Sequence, residues 1–169
     1  RKYTTMKKIK IARSDCLKIQ WKKLILCLVL PLAVGGLSAF LTQDSMKMFE
    51  TIQKPPLSPP GWLFPIVWTI LYLFMGIASY LVLTSSKSNQ TALTLYGIQL
   101  VFNFIWPLIF FNRQQYLFAF IWLVLLWLSI LATIIPFDSI SKPAKYFMLP
   151  YLLWVTFAGY LNFAIYLLN

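Results

Sequence analysis

Histidine is absent from this chain of 169 residues, and only four residues are acidic. Without histidine there is no imidazole to act as general base, zinc ligand or proximal haem ligand. None of the four carboxylates, Asp15, Asp44, Glu50 and Asp138, lies inside a long apolar run, so hydrolase chemistry and a buried proton relay both lack parts. Cys16 and Cys27 are the two cysteines, too few for a disulfide framework or a zinc spacing. No metal site and no resident cofactor is expected. Charge is scarce as well. Charged residues make up 11% of the chain, against about 25% in an ordinary soluble domain. So few charges could not cover a globule's surface. Aromatic residues, at 18%, exclude a disordered chain.

What is abundant is apolar length. Apolar residues reach 60% of the chain, and five runs carry no Asp, Glu, Lys or Arg: 24–41, 62–83, 91–111, 115–135 and 146–168. At 1.5 Å per residue each is long enough for a hydrocarbon core about 30 Å thick, the first only barely. None alternates polar and apolar positions as the strands of a membrane barrel do. The expectation is an all-α integral membrane protein, a five-transmembrane-helix bundle over 24–169 behind a basic arm, 1–23.

The net charge of +11 is unevenly placed. Nine cations lie in the arm: Arg1, Lys2, Lys7, Lys8, Lys10, Arg13, Lys18, Lys22 and Lys23. No nucleic-acid-binding motif follows them, so the arm reads as a topology anchor at anionic lipid rather than as a nucleic-acid grip. With five spans, the side holding the N-terminus collects twelve cations and the other side only Lys47, Lys54 and Arg113. The positive-inside rule then puts the N-terminus in the cytoplasm, and a bacterial inner membrane suits that bias. A basic start before an apolar run also fits a cleavable signal peptide. The run's continuation through Phe40 and Leu41 favours a retained helix. Within it, Gly35 and Ala39 form a small-xxx-small pair, which serves intramolecular packing or, as the sharper alternative, a dimer seam.

The connections differ in character. The link 112–114 is tight, which makes the third and fourth helices antiparallel neighbours. The stretches 84–90 and 136–145 read as polar loops. The longest connection is 42–61. Pro55, Pro56, Pro59 and Pro60 stiffen its second half and forbid a regular helix there. It reads as a lid, with Lys54, Pro55, Pro59 and Pro60 in its rigid part and a solvated hinge in 42–53.

Three runs carry stripes of aromatic, amide and small residues. Trp68, Tyr72, Gly76 and Tyr80 recur every four residues on the second helix. Gln99, Asn103, Trp106 and Phe110 share a face of the third, near a kink expected at Pro107. Tyr151, Trp154, Ala158 and Asn162 (or Leu161) share a face of the fifth. Helix packing explains any one stripe alone. Together they suit a flat, largely apolar ligand, because buried amides cost free energy in lipid unless they face the bundle interior.

The same residues carry a resemblance. Lys54-Pro55-Pro56-Leu57-Ser58-Pro59-Pro60-Gly61-Trp62 leads into Phe64-Pro65-Ile66-Val67-Trp68. Gln99-Leu100-Val101-Phe102-Asn103-Phe104-Ile105-Trp106 precedes Phe110-Phe111. Pro150-Tyr151-Leu152-Leu153-Trp154 leads to Phe157-Ala158-Gly159-Tyr160-Leu161-Asn162. In this order the motifs resemble the translocator protein family, also called TspO/MBR or tryptophan-rich sensory proteins, over residues 31–168. The resemblance implies a five-helix membrane receptor or sensor, often a homodimer, that binds porphyrins and synthetic aromatic ligands. It places the ligand pocket on Phe64, Val67, Trp68, Asn103, Trp106, Trp154, Ala158 and Leu161. It also implies an alternative, light- and oxygen-dependent porphyrin degradation through Trp68 and Trp154. Transport of tetrapyrrole or lipid is a weaker alternative, since five spans show no inverted repeat. The loop departs from the family at Leu57 and at Met48-Phe49, where many members carry tryptophan or Trp-Tyr.

Overall fold

A computed structural model describes residues 19–169; the basic arm up to Lys18 lies outside the described residues. Five helices follow in order: α1 (Trp21–Phe49), α2 (Leu63–Leu83), α3 (Gln90–Pro107), α4 (Tyr116–Ile140) and α5 (Lys142–Leu168). All five runs are long and apolar enough to cross a membrane, α3 together with the turn that extends it to Asn112. The protein is an all-helical membrane bundle. Bulky apolar side chains such as Leu26, Phe40, Ile135 and Leu153 stand exposed on its outside, where hydrocarbon rather than water is the solvent.

Helix α1 packs on α2 and α3, α5 packs on α2 and α4, and α3 packs on α4. Round the bundle the order is therefore α1, α2, α5, α4, α3. The α1–α2 crossing depends on two glycines. A Cβ on Gly35 would sit 2.0 Å from the Tyr72 ring, and one on Gly76 would sit 2.8 Å from the Cys27 carbonyl and the Leu28 Cα. Gly35 is thus used inside the molecule, while Ala39 of the same small-residue pair is exposed.

Two connections differ from the sequence expectation, and a third is tight as expected but carries an unexpected π turn. The first helix runs through Phe49 instead of ending at Leu41, so 42–49 is helical and the loop shrinks to 50–62. Charge at Asp44 and Lys47 marks the exit from hydrocarbon, not the end of the helix. The segment holds no Pro or Gly, the Thr42 hydroxyl donates to the Ser38 carbonyl at 2.9 Å, and Lys47 lies in the last turn where a cation suits the helix dipole. Of the stretch 42–53 expected as a hinge, only 50–53 lies outside the helix.

The second difference is at 136–145, expected as a loop. It is helical apart from Ser141, whose extended backbone (φ −149°, ψ 106°) separates α4 from α5. Pro136 sits near the end of α4, where it removes a single hydrogen bond. Pro143 sits in the first turn of α5, where its nitrogen has no helical partner to lose. Lys145 bridges back to Asp138 at 3.0 Å across the junction.

The third is the end of α3. After Pro107 the chain widens into a π turn, Leu108–Asn112, closed by the Arg113 amide donating to the Leu108 carbonyl at 3.2 Å. Gln114 then adopts a left-handed φ of 52° and turns the chain into α4. Asn112 ties this corner to α1 by donating from Nδ2 to the Leu41 carbonyl at 3.0 Å.

Candidate functional site

The three striped faces meet in the bundle interior. Tyr72 of α2 donates its hydroxyl to Asn103 Oδ1 of α3 at 2.8 Å. Asn103 Nδ2 donates to the Tyr151 hydroxyl of α5 at 2.9 Å. The Tyr151 hydroxyl in turn donates to Gln99 Oε1, one turn along α3, at 3.0 Å. All four side chains are buried. An unpaired amide in hydrocarbon costs several kcal/mol, so this chain of donors is what lets Gln99 and Asn103 occupy a membrane span. Trp68 lies against it, its ring centroid 5.5 Å from Tyr72 and 6.1 Å from Tyr151.

Further along α3 a second polar group joins three helices. Trp106 Nε1 donates to Asn162 Oδ1 of α5 at 3.1 Å, and Asn162 Nδ2 donates to the Tyr116 carbonyl of α4 at 2.7 Å. Beside it is a cavity of about 70 Å³. Phe64 comes from α2, Trp106 with Phe110 and Phe111 from α3 and its π turn, and Ala158, Leu161, Asn162 and Ile165 from α5. Met46 of α1 and Gly61 of the loop complete its walls. The π turn rotates less per residue than an α-helix, and two consecutive phenylalanines reach the same cavity from it. Phe110 stacks on Trp106 at 5.4 Å, and Phe111 meets it edge-on at 6.4 Å. Among three roomier hollows, one of about 480 Å³ lies at the Gln114–Phe118 corner beside Tyr166 and Asn169, and two, about 370 Å³ between α4 and α5 and about 460 Å³ between α1 and α3, open outward and carry almost no polar group. These last two match lipid tails rather than a site of chemistry.

The loop 50–62 covers this end of the bundle. Ile52 packs on the core and Pro55 is buried. The Ser58 amide donates to the Pro55 carbonyl at 2.9 Å, and the Leu63 amide to the Pro60 carbonyl at 3.0 Å. Lys54 and Pro60 face outward, and Pro59 is half-buried.

Four residues anticipated for the pocket therefore line one cavity: Phe64, Trp106, Ala158 and Leu161. Asn103 does not; both ends of its amide are engaged in the tyrosine network. Val67, Trp68 and Trp154 do not line it either. Val67 and Trp68 are half-buried against the core, and Trp154 meets Phe64, itself a lining residue, edge-on at 5.9 Å. The Trp154 Nε1 atom is buried without a hydrogen-bond partner. Lys54, Pro55, Pro59 and Pro60 form the loop above without reaching the walls, to which the loop contributes Gly61. Sequence reasoning missed Met46, Gly61, Phe111 and Ile165 as lining residues. Met46 lay beyond the expected end of α1, and Phe111 needs the π turn to point inward.

Comparison with known proteins bears on the whole of this region. The profile of the TspO/MBR family matches residues 27–168, which takes in α1 from Cys27 onward, the other four helices and every residue of the cavity. The chain belongs to the TspO/MBR family. Tryptophan-rich protein TspO of Chlorobaculum tepidum is 45% identical over 150 residues, covering 86% of this chain and 95% of that protein. Protein CrtK of Rhodobacter capsulatus is 37% identical over 124 residues, covering 72% and 78% respectively. Translocator protein of Bos taurus is 36% identical over 140 residues, covering 80% and 83%. As a TspO/MBR protein the chain is an integral membrane protein of a tryptophan-rich, receptor and sensor type. The cavity, the π turn and the buried amide network are how this particular member builds its interior.

Proposed function

We propose that this protein is a membrane receptor that binds a porphyrin, or another flat tetrapyrrole, in the cavity beneath the loop 50–62. The observation that carries the reading is the convergence of Phe64, Trp106, Phe110 and Phe111 on one apolar cavity with the Trp106–Asn162 hydrogen bond at its edge. Aromatic faces stack on a flat macrocycle, and the fixed indole–amide pair sets its orientation. The cavity of about 70 Å³ is smaller than a macrocycle, whose sites measure hundreds of Å³. Binding therefore requires the loop and the phenylalanines to move. That requirement suits a sensor, since bound and free states must then differ in shape at the membrane surface. The propionate groups belong at the outer rim, where water and Lys54 are near, because no lysine or arginine is buried among the described residues. Synthetic aromatic ligands would share the apolar part of the site. A homodimer in a bacterial inner membrane, with a cytoplasmic N-terminus, belongs to the same reading.

The direct test is titration of the purified protein with protoporphyrin IX, read by quenching of tryptophan fluorescence. Saturable quenching that weakens at least tenfold in Trp106→Ala supports the assignment. Unchanged affinity in that variant removes the cavity from the account.

A second reading, oxidative porphyrin degradation in light and oxygen, draws on the placement of Trp68. An oxidisable indole packed on the rings of two hydrogen-bonded tyrosines is a reasonable electron donor to an excited porphyrin. A transporter reading has no comparable feature behind it.

A further inference from the structure

The core of the bundle is built without its first helix. Among the described side chains, the connected cluster of buried apolar residues draws on α2, α3 with its π turn, α4 and α5, and α1 adds only Leu32, half-buried against it. The residues that α1 itself buries are Cys27, Pro31, Gly35, Ser38 and Thr42, which offer little surface for dispersion. Its two halves are held differently. The inner half lies where α2 closes on it, at the Gly76 contact with Cys27 and Leu28 and at the Gly35 contact with the Tyr72 ring. On the outer half, 36–49, the two buried hydroxyls bond to their own helix. Ser38 donates to the Gly35 carbonyl at 3.3 Å, and Thr42 donates to the Ser38 carbonyl at 2.9 Å. Both are satisfied without tying α1 to a neighbour. Between the halves the helix is weakened. Pro31 lacks the amide that would bond the Cys27 carbonyl, Gly36 has open space where a Cβ would sit, and back-bonded serine and threonine favour bending.

The outer half is also a wall of the site. Met46 lines the cavity, and α1 packs on both α2 and the π turn. It thus closes the gap between those two elements, while Phe40 and Leu41 stand exposed on its other side. Asn112 of the π turn holds it through the exposed hydrogen bond from Nδ2 to the Leu41 carbonyl at 3.0 Å. We infer that 36–49 is a gate: it swings about Pro31–Gly36, carries Met46 off the cavity and admits a flat ligand between α2 and the π turn, with the Asn112–Leu41 bond as its latch. This rests on the proposed ligand-binding function and adds the route of entry to it. The swing supplies the room that a closed cavity of about 70 Å³ lacks. The outer half is about 20 Å long, so a further bend of about 20° at the hinge moves Lys47 by about 5 Å.

Spin-label distances measure the swing in the full-length protein, with Cys16→Ser and Cys27→Ala leaving no other thiol. One pair, Lys47→Cys with Leu117→Cys, spans the outer end from α1 to α4. The other, Leu26→Cys with Ile135→Cys, spans the inner end. All four positions are exposed. Without ligand the outer pair should give two distances about 5 Å apart, and saturating protoporphyrin IX should leave the shorter one alone. The inner pair should give one distance in both states. Asn112→Ala removes the latch and no part of the cavity wall. It should enlarge the longer population and speed porphyrin association and release about threefold each, read by stopped-flow quenching. A single outer distance in both states, or inner and outer pairs that spread alike, overturns the inference, and so do unchanged rates in Asn112→Ala. Retained porphyrin binding then leaves the receptor function standing. A protein that binds no porphyrin removes that function, and the ligand-free distances still decide whether 36–49 swings.

Discussion

Asn169 and Gln53 hold each other by a reciprocal pair of hydrogen bonds. The Gln53 amide donates to Asn169 Oδ1 at 3.1 Å, and Asn169 Nδ2 donates to the Gln53 carbonyl at 3.0 Å. Asn169 Nδ2 also reaches the Ile165 carbonyl at 2.9 Å, and Ile165 lines the cavity. One side chain thus clamps the loop to the helix that walls the site. Both bonds are solvent-exposed, so the clamp is weak enough to open. Asn169→Ala should raise porphyrin association and release rates together, by a few-fold each, with little change in affinity. Stopped-flow fluorescence measures both; rates matching the parent protein would mean that the loop does not gate entry.

The prolines act on the same step differently. Replacing Pro59 and Pro60 by glycine gives the open loop more conformations to lose on closing. Release should accelerate while association is unchanged or slower. Lys54→Ala should cost about 1 kcal/mol or less, because a rim charge is screened by water. Porphyrin titration at low and high salt checks this, with the difference from the parent protein shrinking at high salt.

The α1–α2 crossing makes a sharper stability prediction. At Gly76 an added methyl would strike backbone atoms of Cys27 and Leu28 at 2.8 Å, which cannot rotate away. Gly76→Ala should destabilise the bundle by about 1–3 kcal/mol, read as a lower melting temperature in detergent. Gly36→Ala on α1, where nothing lies within 4 Å, should not lower the melting temperature.

Tyr151→Phe removes one oxygen and strands two partners, Asn103 Nδ2 and Gln99 Oε1. Two buried unpaired groups should cost about 2–4 kcal/mol. A melting temperature equal to that of the parent protein would mean that the network contributes nothing to stability.

The five spans and the three inward faces were legible because hydrocarbon imposes the simplest of patterns: uncharged runs of sufficient length, with amides confined to the buried side. Trp106 and Ala158 stand on stripes that periodicity gives, with Leu161 as the alternative to Asn162, whereas their place in a pocket is what the family resemblance implies. Helix ends were less legible. Asp44 and Lys47 look like a loop in hydropathy, yet a helix continues into water when no proline or glycine stops it. Pro136 looks like a break, yet a proline near a helix end costs only one bond. The tyrosine–amide network was half visible. Tyr72 and Tyr151 stood on the correct stripes as aromatic rings, whereas it is their hydroxyls that satisfy Asn103 and Gln99. The π turn at Leu108–Asn112 has no local signature beyond the preceding proline, so the inward turn of Phe111 could not be read.

For the degradation reading, illuminated protein in air should convert protoporphyrin IX to a product with a new absorption spectrum. Trp68→Phe combined with Trp154→Phe should slow conversion at least tenfold while binding persists. Equal conversion by the double variant assigns the reaction to the photosensitised porphyrin alone.

The most direct test of the central claim fills the cavity. Ala158 is 6% exposed and its side chain forms part of the wall. Ala158→Leu adds three carbon atoms to a space of about 70 Å³ without touching the tyrosine network or the loop clamp. The protoporphyrin IX dissociation constant of this variant, measured by tryptophan quenching beside its melting temperature, decides the matter. The account predicts affinity at least tenfold weaker with the melting temperature held or raised. Unchanged affinity in a folded Ala158→Leu protein would place the ligand elsewhere and contradict the account.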